Sequence, residues 1–200
     1  ILMLGHEEML TAEPPEALRL ELSKQLNTMR RLGKLVRNLL EISRLEQEET
    51  CIREPIKLND FIGQVIDDYK EILEGKNITV VTEISEPSFT GDPEKILRLL
   101  INLIDNAIKY NSDGPGTIRI DTSRAQGMLN ITIANTGPEI PREDLPKIFD
   151  QFYRVEKSRS QAFGGAGLGL TIVRRIVELH GGSIEMRSID GWTTCNITMP

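Results

Sequence analysis

The spacing of hydrophobic residues changes character along the chain. Over 16–49, Leu18, Leu22, Met29, Leu32, Val36 and Leu39 recur at steps of four and three, with Gln25 at the one polar gap. Leu26, Leu35, Leu40 and Leu45 widen that stripe, which predicts one long amphipathic helix. Pro14-Pro15 mark its approach, and Pro15 suits a helix opening. Ile1, Leu2, Leu4, Met9 and Leu10 predict a second, shorter helix over 1–12, giving a helical hairpin. Two helices bury such broad stripes poorly. Either a second copy completes a four-helix bundle through residues 1–50, or the hairpin packs on its own downstream domain.

After Glu54-Pro55 the pattern shifts. Residues 58–73 read as a helix with Asn59 or Asp60 as its cap. Alternation predicts strands over 78–84, 117–122, 129–134, 183–188 and 193–199, and a short one at Ser88-Phe89-Thr90. Gly91-Asp92-Pro93 is a strong helix start, with a helix running from there to about Tyr110. Phe149-Asp150-Gln151-Phe152-Tyr153-Arg154 reads as a short amphipathic helix, and 168–180 as a helix stopped by Gly181-Gly182. The expected fold class is α+β: a helical hairpin over 1–53, then a two-layer α/β sandwich over 54–200.

Composition narrows the function classes. Hydrophobic residues at 39% and charged residues at 27% describe an ordinary globular chain of 200 residues. A net charge of −6 argues against a general nucleic-acid binder. No apolar run reaches the roughly 20 residues of a membrane span. Cys51 and Cys195 stand in no metal-binding spacing, which fits a reducing compartment. The chain opens Ile-Leu-Met-Leu without an initiator Met, and is read as part of something longer.

The chemistry gathers on the helix over 93–110. At about 100° per residue, Asn106 falls about 40° to one side of Asn102 and Lys109 about 20° to the other. Leu97, Leu100, Leu103, Ile104, Ala107 and Ile108 take the opposite arc. An edge of two carboxamides and an ammonium is either solvated surface or a ligand site. Asparagine is a mediocre helix former, so a solvated face has little reason to choose it twice. A carboxamide oxygen is a neutral, hard ligand suited to a Mg²⁺ ion that already carries phosphate oxygens. Gly164-Gly165-Ala166-Gly167-Leu168-Gly169-Leu170 runs straight into a helix, as an anion cradle or simply a flexible turn. Asn135-Thr136-Gly137-Pro138-Glu139-Ile140 forms a turn after a strand, and the polar stretch 155–167 has the length of a mobile lid.

In order, "LLINLIDNAIKY", "IANTGPEIP", "IFDQFYR", "GGAGLGLTIVRRIVELHGG" and "TTCNITMP" resemble the asparagine box, first glycine box, phenylalanine box, second glycine box and closing strand of the ATP-binding domain of bacterial sensor histidine kinases. "LVRNLLEISRLE" resembles the dimerisation and phosphotransfer bundle of the same family. The resemblance implies ATP and Mg²⁺ as ligands, a homodimer, a response-regulator partner, and a cytoplasmic portion of a membrane sensor held in the bilayer by upstream segments. It implies Asn106 as the metal ligand, Asn102 supporting the phosphates or the metal's waters, and Lys109 and Arg154 serving the phosphates. Tyr110, Asn135, Gly137, Ile140 and Thr193 would surround the base, and Gly165, Gly167, Leu168 and Gly169 would line the phosphate cradle.

This sequence departs from the family pattern at three positions. Asn135 stands where the family carries an Asp that accepts a hydrogen bond from the adenine amino group, and a neutral acceptor bonds more weakly. Glu139 and Trp192 replace glycines. "GHEEML" aligns beyond the family's histidine box, which places the phosphoacceptor upstream of Ile1 and makes His6 a bundle-surface residue. His180 is expected to sit at a helix end and favour its dipole. Two other functions fit parts of the pattern: a related superfamily ATPase, and a non-catalytic dimeric regulator with a degraded nucleotide site.

Overall fold

The computed structural model describes residues 16–86, 88–112, 114–155 and 166–200. The chain divides into two units, Ile1–Arg37 and Asn38–Pro200. Helix α1 (Glu16–Gln47) begins in the first and ends in the second. Leu18, Leu22, Leu26, Met29, Leu32 and Val36 of its stripe are exposed, whereas Ile42 and Leu45 are buried. The helix expected over 1–12, His6 included, lies outside the described residues.

The second unit continues with β1 (Glu54–Lys57), α2 (Leu58–Asp68), α3 (Lys70–Gly75), β2 (Ile78–Ile84), β3 (Ser88–Gly91) and α4 (Pro93–Lys109). It ends with β4 (Gly116–Ala125), β5 (Met128–Thr136), α5 (Gly169–Leu179), β6 (Ser183–Ile189) and β7 (Trp192–Met199). Five strands form one sheet in the order β2-β4-β5-β7-β6, and β1 pairs with β3 in a separate ribbon. Strands β2 and β4 are parallel, which requires the crossover that α4 supplies; the other neighbours are antiparallel. The β4–β5 and β6–β7 hairpins turn through Gln126-Gly127 and Asp190-Gly191, all four residues at positive φ. That is the two-residue turn whose twist matches the flanking strands.

Strand alternation sends Ile118, Ile120, Leu129, Ile131, Ile133, Cys195, Ile197 and Met199 to one face. There they share a core with Leu99, Leu100, Leu103, Ile104, Ala107 and Ile108 of α4 and with Ile172, Val173, Ile176 and Val177 of α5. The dry arc expected on the asparagine helix is therefore real, with only Leu97 half-buried. Within this core, burial pushes the Cys195 thiol up to about 12, while Cys51 is half-buried and donates to the Leu179 carbonyl at 3.5 Å.

The Pro55 segment, which the alternation leaves unassigned, is a strand of the two-stranded ribbon, where a missing N–H is tolerated. Several local expectations differ from the structure. The helix expected over 58–73 breaks at Tyr69, whose N–H is shared between the Val65 and Ile66 carbonyls. Its cap position is Lys57, without a side-chain bond, so neither Asn59 nor Asp60 caps it. Asp92 does cap α4, accepting from the Lys95 N–H at 3.2 Å, with Pro93 in the first turn. Residues 142–149 form successive turns, and Phe149–Arg154 is no helix. Phe152 has φ +65°, and its N–H goes to the Gly167 carbonyl at 2.9 Å instead of to a carbonyl of its own turn.

His180 is fully buried and does not serve as a charged helix cap. Its Nδ1 lies 2.8 Å from the Ile176 carbonyl, so Nδ1 carries the proton, and Nε2 accepts from the Asp92 N–H at 3.0 Å. Both ring nitrogens are satisfied only in the neutral form. Burial accordingly holds its pKa below the usual histidine value.

Candidate functional site

Helix α4 carries the site along one edge. Asn102 donates its Nδ2 to the Arg98 carbonyl one turn back, at 2.9 Å, which turns Oδ1 outward. That oxygen faces the start of α5: a Cβ built on Gly169 would lie 3.0 Å from Asn102 Oδ1 and 3.9 Å from Asn106 Nδ2. The asparagine pair and the glycine turn, 63 positions apart at Asn106 and Gly169 in the sequence, thus enclose one cradle. The carboxamide of Asn106 makes no hydrogen bond among the described residues. Two carboxamides whose oxygens accept no hydrogen bond among the described residues, beside a helix that starts on a glycine, fit a phosphate-bound Mg²⁺ ion.

Gly167 stands at φ +71°, and a Cβ there would come within 2.8 Å of the Phe152 and Tyr153 backbone. The phenylalanine segment and the glycine segment are therefore joined main chain to main chain. Arg154 follows directly and is half-buried. Leu168 is a core residue with 1% exposure, so only its backbone can serve a ligand. Gly165 and positions 156–165 of the expected lid lie outside the described residues.

The other end of α4 builds a second cluster. Lys109 Nζ sits 4.8 Å from the centroid of the Tyr110 ring, which is exposed. Asn135, buried on β5, donates Nδ2 to the carbonyls of Tyr110 at 3.4 Å and Thr136 at 3.0 Å, leaving its oxygen without a donor among the described residues. Gly137 passes so close to Tyr110 that a Cβ would sit 2.2 Å from that carbonyl. Thr193 pairs with Asn135 across β5 and β7 and shares a 2.9 Å hydrogen bond with Ser188. Ser188 also accepts from the Ile140 N–H at 2.9 Å. The expected base-binding set is thus brought together.

Residues with no signal of their own in the sequence also shape this end. Asn111 is buried, accepting from Thr136 Oγ1 at 2.7 Å and the Ser112 N–H at 2.9 Å, and donating to the Ala107 and Thr117 carbonyls, both at 3.3 Å. It locks the end of α4 to β4 and β5. Glu139 accepts from the Gly191 N–H at 3.2 Å, and the Gly137 N–H donates to the Gly191 carbonyl at 2.9 Å. The Glu139 departure therefore clips the turn to the β6–β7 hairpin.

Residues 91–200 match the family described as histidine kinase-, DNA gyrase B-, and HSP90-like ATPase. The chain is 35% identical over 179 residues to the sensor histidine kinase WalK of Bacillus subtilis, covering 87% of this chain and 29% of that protein. The catalytic domain of histidine kinase ThkA, in a nucleotide-free form, superposes with a TM-score of 0.66 at 28% identity, over 74% of this chain and 95% of that one. ThkA in complex with the response regulator protein TrrA superposes with a TM-score of 0.76 at 26% identity, over 99% of this chain and 56% of that one.

Proposed function

The chain belongs to the histidine kinase-, DNA gyrase B- and HSP90-like ATPase family, and from that premise we propose that it is the nucleotide-binding part of a sensor histidine kinase. It binds Mg·ATP and gives the γ-phosphoryl group to a histidine on a dimeric helical bundle, from which a response-regulator aspartate receives it. The observation that carries this reading is the cradle of Asn102, Asn106 and Gly169.

Asn106 would hold the metal, with Asn102 beside it, and Mg²⁺ when bound supplies neutralisation of phosphate charge. Lys109 contributes a further positive charge, and Arg154 would serve the γ-phosphate. The glycine backbone at Gly165, Gly167, Leu168 and Gly169 would cradle the phosphates. Asn135 Oδ1 accepts from an exocyclic amino group of the base, with Tyr110, Gly137, Ile140 and Thr193 around it. The acceptor imidazole nitrogen attacks the γ-phosphorus, the bond to the bridging oxygen breaks, and ADP leaves with its electrons. No side chain has to remove a proton from a water molecule. Catalysis is then positioning and charge neutralisation.

The domain plan under this proposal is a bundle over 1–53, dimeric through residues 1–50, and a catalytic domain over 54–200. The exposed leucine stripe of α1 supports the dimer. Among the described residues no helix is long and apolar enough to cross a membrane. On this reading the chain is the cytoplasmic portion of a sensor held in the membrane by upstream segments of the same protein. The ThkA–TrrA complex supports a response regulator as partner.

The test is incubation with γ-labelled ATP and Mg²⁺, with a histidine-bearing bundle supplied in trans. Acid-labile, base-stable phosphate on histidine supports the kinase; steady release of inorganic phosphate without it favours a hydrolytic relative. Against the hydrolase, Asn102 offers a neutral oxygen and no general base.

A further inference from the structure

Arg98 occupies the turn of α4 between its capped start and the asparagine pair. Its carbonyl receives Asn102 Nδ2 at 2.9 Å, the bond that aims Asn102 Oδ1 at the cradle. Its guanidinium reaches back to α1. Nε donates to both Glu41 oxygens at 3.0 Å, and Nη2 donates to Glu41 Oε2 at 2.7 Å and to Asn38 Oδ1 at 3.0 Å. Asn38 is buried. One residue therefore touches the end of α1 with its side chain and the phosphate end of the site with its backbone.

Neighbouring contacts repeat the grip. Lys95 Nζ lies 2.9 Å from Glu48 Oε2 and 2.8 Å from Asp92 Oδ2. Arg175 of α5 donates Nε to the Leu45 carbonyl and Nη2 to the Glu48 carbonyl, both at 3.0 Å. Cations from both helices that border the cradle thus converge on one short stretch, 38–48. A planar guanidinium on a carboxylate fixes direction as well as distance, which an ammonium does not. A partly exposed ion pair adds little stability. The arrangement is better suited to setting the placement of α4 than to holding the fold.

We propose that Arg98 is a positioning residue that couples the end of α1 to the phosphate end of the nucleotide site through Asn102. The inference rests on the nucleotide-binding reading above. Linkage makes the coupling reciprocal: contact with Glu41 and Asn38 tightens Mg·nucleotide binding, and bound Mg·nucleotide tightens the hold on 38–48.

The experiment titrates the full chain with a fluorescent ATP analogue and Mg²⁺, following melting temperature alongside. Glu41→Ala and Arg98→Ala should each weaken binding about fivefold, and the double variant should be no weaker than the worse single. Arg98→Lys should fall between, and the exchange of Arg98→Glu with Glu41→Arg should recover binding that either single exchange loses. Hydrogen exchange at the amides of 42–47 should slow on adding Mg·ATP in the parent and not in Arg98→Ala. A folded Glu41→Ala variant that binds as the parent does, or singles whose losses multiply in the double, overturns the inference alone. A parent chain that takes up no nucleotide overturns the reading beneath it as well.

Discussion

Four asparagines line the two ends of the candidate site, and the protein uses them in opposite ways. At the C-terminal end of α4, Asn111 spends all its hydrogen-bonding capacity on the fold, with two bonds accepted and two donated. Asn135 commits its amide nitrogen to two carbonyls and keeps only its oxygen. Beside Gly169, the Asn102 side chain makes one bond within its own helix, and the Asn106 side chain makes none among the described residues. Among the described residues, the end at Asn111 and Asn135 keeps a single open acceptor, whereas the end at Asn102 and Asn106 leaves most of its polar side-chain atoms uncommitted. A saturated buried amide is a structural part, and an unsaturated one on a helix edge is a chemical part.

The sharpest way to break this contrast is to remove each kind. Asn106→Ala should cost about a hundredfold in Mg-dependent nucleotide affinity, some 2.7 kcal/mol, with the melting temperature almost unmoved. Calorimetric titration beside thermal melts tests both halves; undiminished binding would refute the assignment. Asn111→Ala should do the reverse in stability, because it strands partners on three elements. A loss of about 2–3 kcal/mol is expected, lowering the melting temperature by about 4–12 °C. A variant as stable as the parent would show that the buried network is not structural.

Asn135→Asp sharpens the comparison more finely. Judged by family pattern alone, a carboxylate is the stronger acceptor for an amino group. Here the nitrogen of Asn135 faces the Tyr110 and Thr136 carbonyls, and an oxygen in its place would oppose them. The exchange should lower stability by about 1–2 kcal/mol. Equal or greater stability in a denaturant titration would mean that the amide donors contribute nothing.

The smallest effect is a pH dependence away from the site. The folded chain holds His180 below its ordinary pKa, because burial and the Asp92 N–H both oppose a second ring proton. The unfolded chain therefore binds that proton first as pH falls below about 6.5. The stability from neutral His180 is fully present above that value and is lost as pH drops through the lowered folded pKa. Asp92 titrates lower: burial alone would raise it, but Lys95 holds it below the usual carboxylate value. Melts between pH 7 and 5 should show a slope that His180→Asn flattens; parallel profiles would exclude the histidine.

The legible parts of this molecule were those whose signal is local. The asparagine edge and dry arc of α4 follow from helical period alone, and Gly91-Asp92-Pro93 announces its own cap. Strand alternation placed the sheet to within a few residues. What stayed hidden depends on partners distant in the chain. Nothing near Asn111 names Thr136, 25 positions on, and nothing near Arg98 names Glu41, 57 positions back. The phenylalanine segment carries an amphipathic pattern, yet Gly167 captures the Phe152 N–H and the helix does not form. His180 does end α5, but sequence shows where a helix ends and not what closes over it.

The two thiols have a practical consequence. With Cys195 sealed in the core and held protonated, a maleimide dye will find only Cys51 among the cysteines. That sulfur rests on the Leu179 carbonyl, the last of α5, the helix whose opposite end faces Asn102 and Asn106. The unaltered chain thus carries one addressable fluorophore position, from which ligand arrival can be followed optically without engineering a cysteine.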